Sequence, residues 1–493
     1  MSKKSILVVL LIASLFTSLS LGFGTKYAQA YNEDFFEQLS TFTEVLKLVQ
    51  DNYYDQKKIN EDSLMVGAIK GMLEVLDKHT VYLDKQSFQM LTSETSGSFG
   101  GLGIQISVKD GVLTIITPMV GTPAERIGLK PGDIISKING ESTQGITQMD
   151  AIGKLRGKPG TQVTITVIRE GVPKPLEYTI TRAIIELNSI PASFMVTRDI
   201  GYVKVTEFEK PTSSKLIDSL KKLKSEGMTK LILDLRNNPG GLLISSVEIS
   251  NLFLPQGKVI VSTQGRVDSQ KRIFKATGGS EFEDLPMVVL VNLGSASASE
   301  IVTGALKDHK RATIIGSKTF GKGSVQNVIK LNRDDALKIT VALYYTPSGV
   351  SIHEKGIDPD ILVEDDRYPM YIAYLRKHDY FRKFVQKKLK DKRISYGDFK
   401  VDKAMLDEFY AFVNNDKNEE LKKEIFGDVI LMRILKKHSL DPFNELFEAA
   451  KEDIVDELTS QAYFIGSSEE SSIKYMLRND SAAKKAIEIL EAK

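Results

Sequence analysis

Two short segments rich in small residues carry the side chains best suited to nucleophilic chemistry. The first, residues 294–300, contains Ser295, Ser297 and Ser299 and lies where an apolar strand pattern passes into a helix pattern. A serine at a helix start lies beside free backbone N–H groups, which stabilise a negatively charged oxygen such as the oxyanion of acyl transfer. A simple helix cap made by a serine hydroxyl fits the same residues, so this segment alone leaves both interpretations open.

The second segment, residues 319–326, supplies a candidate base. Lys322 lies between two glycines, which permit the close approach of another backbone. Lysine acts as a general base only when uncharged, a form that burial favours, whereas a lysine in a solvated loop has no such role. If this segment is extended, Gln326 shares one face with Lys322, and its amide could hold the amine toward Ser297.

The five histidines are scattered, and none lies in a glycine-rich corner. His309 is expected at the far end of the helix that begins near Ser297, too far away to serve as its base. A Ser-His-Asp triad is therefore not expected, although spacing alone does not exclude His353.

Together the two segments resemble the motifs of the C-terminal processing peptidases, also called tail-specific proteases. The runs Gly-Ser-Ala-Ser-Ala-Ser-Glu at 294–300 and Thr-Phe-Gly-Lys-Gly-Ser-Val-Gln at 319–326 have the separation of that family. The resemblance implies that Ser297 is the nucleophile, that Lys322 is its base and that Gln326 orients the lysine.

A third run, Asp-Leu-Arg-Asn-Asn-Pro-Gly-Gly at 234–241, also resembles the family. It implies an oxyanion hole formed by the N–H of Ala298 and that of Gly240 or Gly241. We favour Gly241, but Pro239 stands where some relatives carry glycine, which leaves the choice open. A tight structural turn is compatible with the same residues.

Residues 98–183 consist of short strand patterns separated by glycine-rich turns, and they resemble a bacterial PDZ domain. The resemblance implies a carboxylate-binding loop with Phe99 and Ile106 beside its apolar pocket. The loop consists of Gly101, Leu102, Gly103 and Ile104. A PDZ domain alone indicates only peptide binding; coupled to the serine and lysine, it suggests selection of substrates by their C-terminal tails.

Arg156 lies beside a glycine-rich turn of this domain. A guanidinium can make a directed, bidentate contact, so Arg156 is a candidate link between PDZ occupancy and the active site. An ordinary surface charge is the alternative.

The element patterns predict a multidomain α/β protein with helical ends. The family resemblance implies that its α/β part is a crotonase-like protease core with an inserted PDZ domain. The expected divisions are a signal peptide at 1–30, an N-terminal helical region at 31–97, a PDZ domain at 98–183, an α/β core at 184–366 and a C-terminal helical region at 367–493.

Composition and the N-terminus indicate the compartment. Lys3 and Lys4 precede an apolar stretch, and Ala-Gln-Ala at 28–30 follows as a cleavage site, although an uncleaved anchor is the alternative. We therefore expect an exported protein, in the periplasm or on the outer side of the cytoplasmic membrane. Cysteine is absent, and 66 basic residues nearly balance 64 acidic ones, so disulfides are excluded and a nucleic-acid partner is not favoured.

These observations favour a serine endopeptidase that needs no cofactor or metal and acts on proteins or peptides with apolar C-termini. Its expected partners also include an activator or adaptor protein and a second copy of the chain, joined through terminal helices. A non-catalytic PDZ adaptor is the alternative, and acyl-thioester chemistry is a third interpretation, because the family's core is similar to the crotonase fold. The complete set of Ser297, Lys322 and Gln326 disfavours the adaptor.

Overall fold

The computed structural model describes residues 33–109, 111–364, 370–390, 392–414 and 442–492 of the chain. It forms two compact units, residues 1–82 and 83–493. The predicted signal peptide lies outside the described residues. Among those that are described, no helix combines the length and apolar character needed to cross a bilayer.

The first unit is mainly helical, as its apolar periodicity predicts. It contains helices α1 (Glu33–Asn52) and α2 (Glu61–Glu74), and strand β1 (Val81–Leu83) begins at its end. Asn60 caps α2 by accepting a hydrogen bond of 2.9 Å from the backbone N–H of Ser63, so the helix begins where a side chain can satisfy its free donors.

The second unit begins with helix α3 (Lys85–Ser96), which ends at Gly97 in a left-handed conformation with φ 74°. A small barrel-like domain follows. Its strands and helices are β2 (Ser98–Gly101), β3 (Ile104–Lys109), β4 (Val112–Pro118), α4 (Pro123–Arg126), β5 (Ile134–Ile138), β6 (Glu141–Ser142), α5 (Gln148–Leu155), β7 (Gln162–Ile168), β8 (Leu176–Thr181) and β9 (Ala183–Glu186).

The sheet of this domain has the strand order β3-β4-β5-β7-β8, so β3 is an edge strand. Its core consists of alternate residues of these strands, including Leu113, Ile115, Ile135 and Ile165, all of them fully buried. Strands β2 and β9 pair antiparallel where the chain enters and leaves the domain.

The α/β core is built on a six-stranded sheet with the order β10-β11-β12-β15-β16-β19. Its elements are β10 (Ala192–Met195), β11 (Ile200–Lys204), α6 (Thr212–Ser225), β12 (Lys230–Asp234), α7 (Leu243–Asn251), β13 (Val259–Gly265), β14 (Arg272–Lys275), β15 (Met287–Val291), α8 (Ala298–Asp308), β16 (Thr313–Gly316), β17 (Ser324–Lys330), β18 (Ala336–Tyr345) and β19 (Ile361–Leu362). Strands β11, β12, β15 and β16 are parallel, so their carboxyl ends meet at one edge, where such folds place their sites.

The described part of the C-terminal region is helical. It contains α9 (Met370–Lys377), α10 (Tyr380–Leu389), α11 (Lys403–Val413), α12 (Pro442–Ala449), α13 (Lys451–Gly466), α14 (Glu469–Leu477) and α15 (Ser481–Glu491). Helix α15 packs Ala483, Ala486 and Leu490 against the core sheet, where they meet Ile232 and Leu290. These helices therefore cover a sheet face that would otherwise expose apolar side chains to water.

Candidate active site

Ser297 lies in a tight corner between β15 and α8. Helix α8 begins at Ala298, and Ser295 is held in the turn before it. Its hydroxyl donates to the Leu235 carbonyl at 2.8 Å and accepts from the N–H of Asn292 at 3.0 Å. Ser297 has φ 55° and ψ −112°, a conformation that costs energy for a residue with a side chain and that is common at functional sites.

Glu300 is a fully buried carboxylate that connects the two predicted motifs. Its Oε2 accepts the backbone N–H of Ser297 at 2.8 Å and that of Lys322 at 2.9 Å. Its Oε1 accepts the N–H of Gly321 at 2.7 Å and the hydroxyl of Thr319 at 2.6 Å. Because one oxygen binds both backbones, the nucleophile corner and the lysine segment are fixed within two hydrogen-bond lengths of each other.

The sequence interpretation missed this role for Glu300. The signal that could have found it is the Ser-x-x-Glu spacing of a capping box, in which the acidic side chain reaches back to the first backbone N–H. At the same helix start, the Glu300 N–H donates to the Ser297 backbone oxygen at 2.9 Å.

Tyr344, at the end of β18, completes the corner. Its phenol is buried and donates to the Lys322 carbonyl. Burial, and next the charge of Glu300, raise the pKa of this phenol well above its ordinary value, while the neighbouring Ser297 side chain opposes that rise. Tyr344 thus binds the lysine segment as a neutral group beside Ser297.

Gln326 lies in β17, while Lys322 precedes that strand, which begins at Ser324. The pairing of β17 with β18 is irregular between Val325 and Gln326, so simple alternation along an extended segment does not relate the two side chains. The Gln326 amide donates to the hydroxyl of Ser324 at 2.9 Å and lies 3.4 Å from that of Thr340.

The histidines differ in their distance from this corner. His309 lies at the C-terminal end of α8, as expected, and its ring nitrogen Nε2 lies 2.7 Å from the Val259 carbonyl. His353 lies closer: a Cβ on Gly323 would be 2.5 Å from the His353 backbone nitrogen. Its Nδ1 is buried without a hydrogen bond to the described residues.

The loop after β12 brings two backbone N–H groups together beside Ser297. A Cβ on Gly240 would lie 2.7 Å from Ser297 Cβ and 2.9 Å from Ala298 N, so only glycine allows this approach. Gly240 donates its own N–H to Asn238 Oδ1 at 2.9 Å. The N–H groups of Gly241 and Ala298, in contrast, donate to no acceptor in the described part of the chain. Of the two glycines, Gly241 therefore has the donor to offer.

A buried ionic network fixes the start of this loop. Arg236 pairs with Asp234 at 2.7 Å and with Asp480 of the C-terminal region at 2.6 Å, while the Tyr202 hydroxyl donates to Asp234 at 2.7 Å. Desolvation by itself raises the pKa of Asp234. The opposing effects are stronger: the positive charges of Arg236 and Lys204, and the hydrogen bonds from Arg236 and Tyr202, hold that pKa well below its usual range. Asp234 and Arg236 thus anchor the loop.

The PDZ domain carries a groove of about 350 Å³ between β3 and α5. Phe99 and Ile106, predicted beside the pocket, both line it. The predicted carboxylate loop is fixed through its carbonyls, since Leu102 O accepts from Ala124 at 3.0 Å and Gly103 O accepts from Met119 at 2.8 Å. Within the described residues, the N–H groups of Leu102 and Gly103 donate to no acceptor, so both can receive an anion.

Arg156 lines the same groove, at the end of α5. Its guanidinium lies 4.0 Å from the centre of the Phe99 ring, and its Nη1 is buried without a hydrogen bond to the described residues. Burial lowers the pKa of this arginine, and the charge of Glu94 opposes that fall. Arg156 is therefore partly desolvated, unlike an ordinary surface charge.

Glu94, on α3, also acts on Glu207, which lies two residues before a second acidic residue, Glu209. Burial, then the charges of Glu209 and Glu94, raise the pKa of Glu207 to about 7. Between these two residues, Phe208 donates its N–H to Gly240 O at 2.9 Å and accepts from the N–H of Leu242 at 2.7 Å. Phe208 thus connects the segment of Glu207 and Glu209 with the loop of Gly240 and Gly241.

The raised pKa of Glu207 predicts a pH-dependent stability. Because the folded pKa exceeds the unfolded value, Glu207 destabilises the fold progressively as pH rises from about 4.5 to about 7. We expect Glu207→Gln to stabilise the protein by about 1 kcal/mol above pH 7, after discounting for partial exposure, and by nothing at pH 4. Urea unfolding at both pH values measures this difference. An equal gain at both pH values would contradict it.

Comparisons with known proteins assign three segments of the chain to known families. Residues 199–363 match the model of peptidase family S41, residues 114–169 match a PDZ domain, and residues 22–87 match the N-terminal domain of the activating protease CtpB. Among solved structures, a photosystem II D1 C-terminal processing protease is 30% identical, with a TM-score of 0.40, over 66% of this chain and 93% of its own.

Two relatives extend the similarity over most of the chain. A probable CtpA-like serine protease of Staphylococcus aureus is 36% identical over 74% of this chain and 73% of its own length. A carboxy-terminal-processing protease of Bartonella bacilliformis is 41% identical over 74% of this chain and 85% of its own length. These relatives are proteases and do not favour the adaptor alternative. The chain belongs to the C-terminal processing peptidases of family S41, and it is a serine-type peptidase with a PDZ domain.

Proposed function

We propose that this protein captures the apolar C-terminal tail of an exported protein in its PDZ groove and cleaves that protein with a dyad of Ser297 and Lys322. The observation that carries the proposal is the shared oxygen of Glu300, which holds the backbones of both residues at one corner. Gln326 is the third proposed member, with its amide acting on the lysine.

Each step of peptide hydrolysis has a group at this corner. The Ser297 Oγ attacks the peptide carbonyl carbon while Lys322 Nζ accepts the hydroxyl proton. The oxyanion binds the N–H groups of Ala298 and Gly241, which donate to no other acceptor among the described residues. Collapse releases the amine, which takes its proton from Lys322, and the same lysine then activates the water that hydrolyses the acyl-enzyme.

The test is cleavage of an unfolded protein that ends in apolar residues, followed by gel electrophoresis and mass spectrometry. We expect the wild type to cut it, and to cut it slowly when the tail is amidated or ends in charged residues. Ser297→Ala should bind the tail without cleavage. Equal cleavage of proteins with all of these tails would contradict substrate selection by the PDZ domain. Cleavage by Ser297→Ala would contradict the role of Ser297 as the nucleophile.

Arg156 is proposed to connect tail binding with catalysis. What supports this is its buried place in the groove beside Phe99, together with the charge of Glu94, which acts both on Arg156 and on Glu207 next to the loop of Gly240. We expect Arg156→Ala to lower kcat/KM about 10²-fold through misplacement of the catalytic groups, with the tail-peptide Kd unchanged. Fluorescence anisotropy and cleavage rates measure the two effects, with Arg126→Ala as the control. Equal loss of binding and cleavage would contradict the link.

Export and assembly complete the proposal. The basic start, apolar stretch and Ala-Gln-Ala site support transfer to the periplasm or the outer side of the cytoplasmic membrane. Helix α1 exposes apolar side chains, including Phe36 at 58%, Val45 at 53% and Leu48 at 54%, and this supports a homodimer through the terminal helices. An activator or adaptor protein is a further proposed partner.

A further inference from the structure

A second cleft, of about 630 Å³, lies at the carboxyl edge of the core sheet, where the PDZ domain, the core and the C-terminal helices meet. Gln105 and Ile116 line it from the PDZ domain, Asn237 and Asn292 from the core, and Gln461 and Phe464 from α13. We call it the junction cleft.

The junction cleft adjoins the PDZ groove, because Gln105 and Ile116 line both. Its floor leads to the nucleophile corner. Asn237 donates its backbone N–H to Asn292 Oδ1 at 2.8 Å, and the next residue, Asn238, accepts the N–H of Ala296 at 3.0 Å. The cleft therefore adjoins the proposed tail site on one side and, on the other, the start of the loop that leads to the proposed oxyanion donors.

The charged side chains in the ion pairs of the junction cleft neutralise one another. The pairs are Lys204–Asp234, Arg236–Asp234, Arg236–Asp480, Arg376–Glu457 and Arg382–Asp379. A cleft whose cations and anions neutralise one another does not favour a strongly charged ligand such as a phosphate.

Two uncharged amides remain for a ligand. The side chains of Gln105 and Gln461 lie on opposite walls and make no hydrogen bond to the described residues. An amide offers one acceptor and two donors, which match the C=O and N–H of a peptide backbone whatever its side chains. This chemistry suits an extended polypeptide that is bound through its backbone, with no selection of its side chains.

The outer wall is firmly attached to the core. Asp480 caps α15 by accepting the N–H of Ala483 at 2.9 Å and also binds Arg236. Glu470, on α14, accepts the N–H of Ser193 at 3.1 Å. The matched family models end at residue 363, so they assign no role to this wall.

We propose that the junction cleft binds the segment of the substrate polypeptide adjoining the captured tail, and that the C-terminal helices form its outer wall. This inference rests on the proposed function. Through this contact the C-terminal region holds the unfolded chain between its tail site and the active site.

The absence of cysteine makes disulfide trapping a clean test. In a Ser297→Ala background, Gln461→Cys, Gln148→Cys in the PDZ groove and Glu452→Cys on the exposed part of α13 are each made alone. The probes are unstructured peptides with an apolar C-terminus and one cysteine at varied distances from it. We expect Gln148→Cys to trap cysteines near the tail, Gln461→Cys to trap cysteines further upstream and Glu452→Cys to trap none selectively.

The outcomes separate this inference from the proposed function. Trapping by Gln148→Cys, with Gln461→Cys no faster than Glu452→Cys, would overturn the junction cleft and leave tail capture intact. Failure of Gln148→Cys as well would overturn tail capture, and the inference would fall with it.

Independently, Gln461→Trp should lower kcat/KM for an unfolded protein about tenfold, as expected for one or two lost hydrogen bonds, and Glu452→Trp should not. Equal rates for both would also overturn it.

Discussion

Replacing Lys322 by arginine is expected to lower kcat for peptide hydrolysis as much as replacing it by alanine, by about 10²- to 10⁴-fold. Arginine keeps the positive charge but does not lose its proton in proteins, so it cannot accept the hydroxyl proton of Ser297. The tail-peptide Kd should be unchanged in both variants, because the PDZ groove does not contain this residue. Single-turnover cleavage and fluorescence anisotropy measure the two quantities.

Two matched variants make this result decisive. Lys318→Ala removes a lysine of the same segment that pairs with Asp358 at the surface, and it should retain full activity. His353→Gln removes the histidine that spacing did not exclude and that packs against Gly323. A large loss of kcat in His353→Gln, with little loss in Lys322→Arg, would identify His353 as the base. Full activity in Lys322→Arg would show that the site needs only the positive charge of the lysine.

Much of the site was predictable because its chemistry lies in short segments. Small residues around Ser297, glycines around Lys322 and the Gly-Gly run after β12 are local signals, and each occurs where the backbone must turn or be approached closely. The strand and helix alternation of the core follows from hydrophobic periodicity in the same way. The family resemblance then related the segments to each other.

The contacts between distant segments were not predictable. Nothing local shows that Asp480 meets Arg236, or that the Tyr344 phenol reaches the lysine segment, because both contacts depend on how whole elements pack. The expected shared face of Lys322 and Gln326 required a regular strand, and the irregular pairing before Gln326 removes that condition. Burial also changes the interpretation of Arg156, whose stacking on Phe99 has no sequence signature.

Glu300→Gln is expected to lower kcat about 10²-fold or more, although the substitution changes only one atom of the side chain. Each carboxylate oxygen accepts from two donors: Oε1 from Thr319 and Gly321, and Oε2 from Ser297 and Lys322. A glutamine amide has only one oxygen, so its NH₂ group must face two donors whichever way it is turned. The backbones of the nucleophile and the base then separate, and buried donors lose their acceptor, which costs about 1–3 kcal/mol each.

The measurements are kcat on an unfolded tail-bearing protein, tail-peptide Kd and thermal unfolding, with exposed Glu226→Gln as the control. A positioning role requires that kcat falls at temperatures where the variant is fully folded, while Kd stays at the wild-type value. If Glu300→Gln melts earlier but retains kcat within about threefold, Glu300 only stabilises the fold, since a geometric role would change the rate far more. The alignment of Ser297 with Lys322 would then have to come from other contacts between the two segments, such as the hydrogen bond of 3.0 Å that the Phe320 N–H donates to the Ser295 carbonyl.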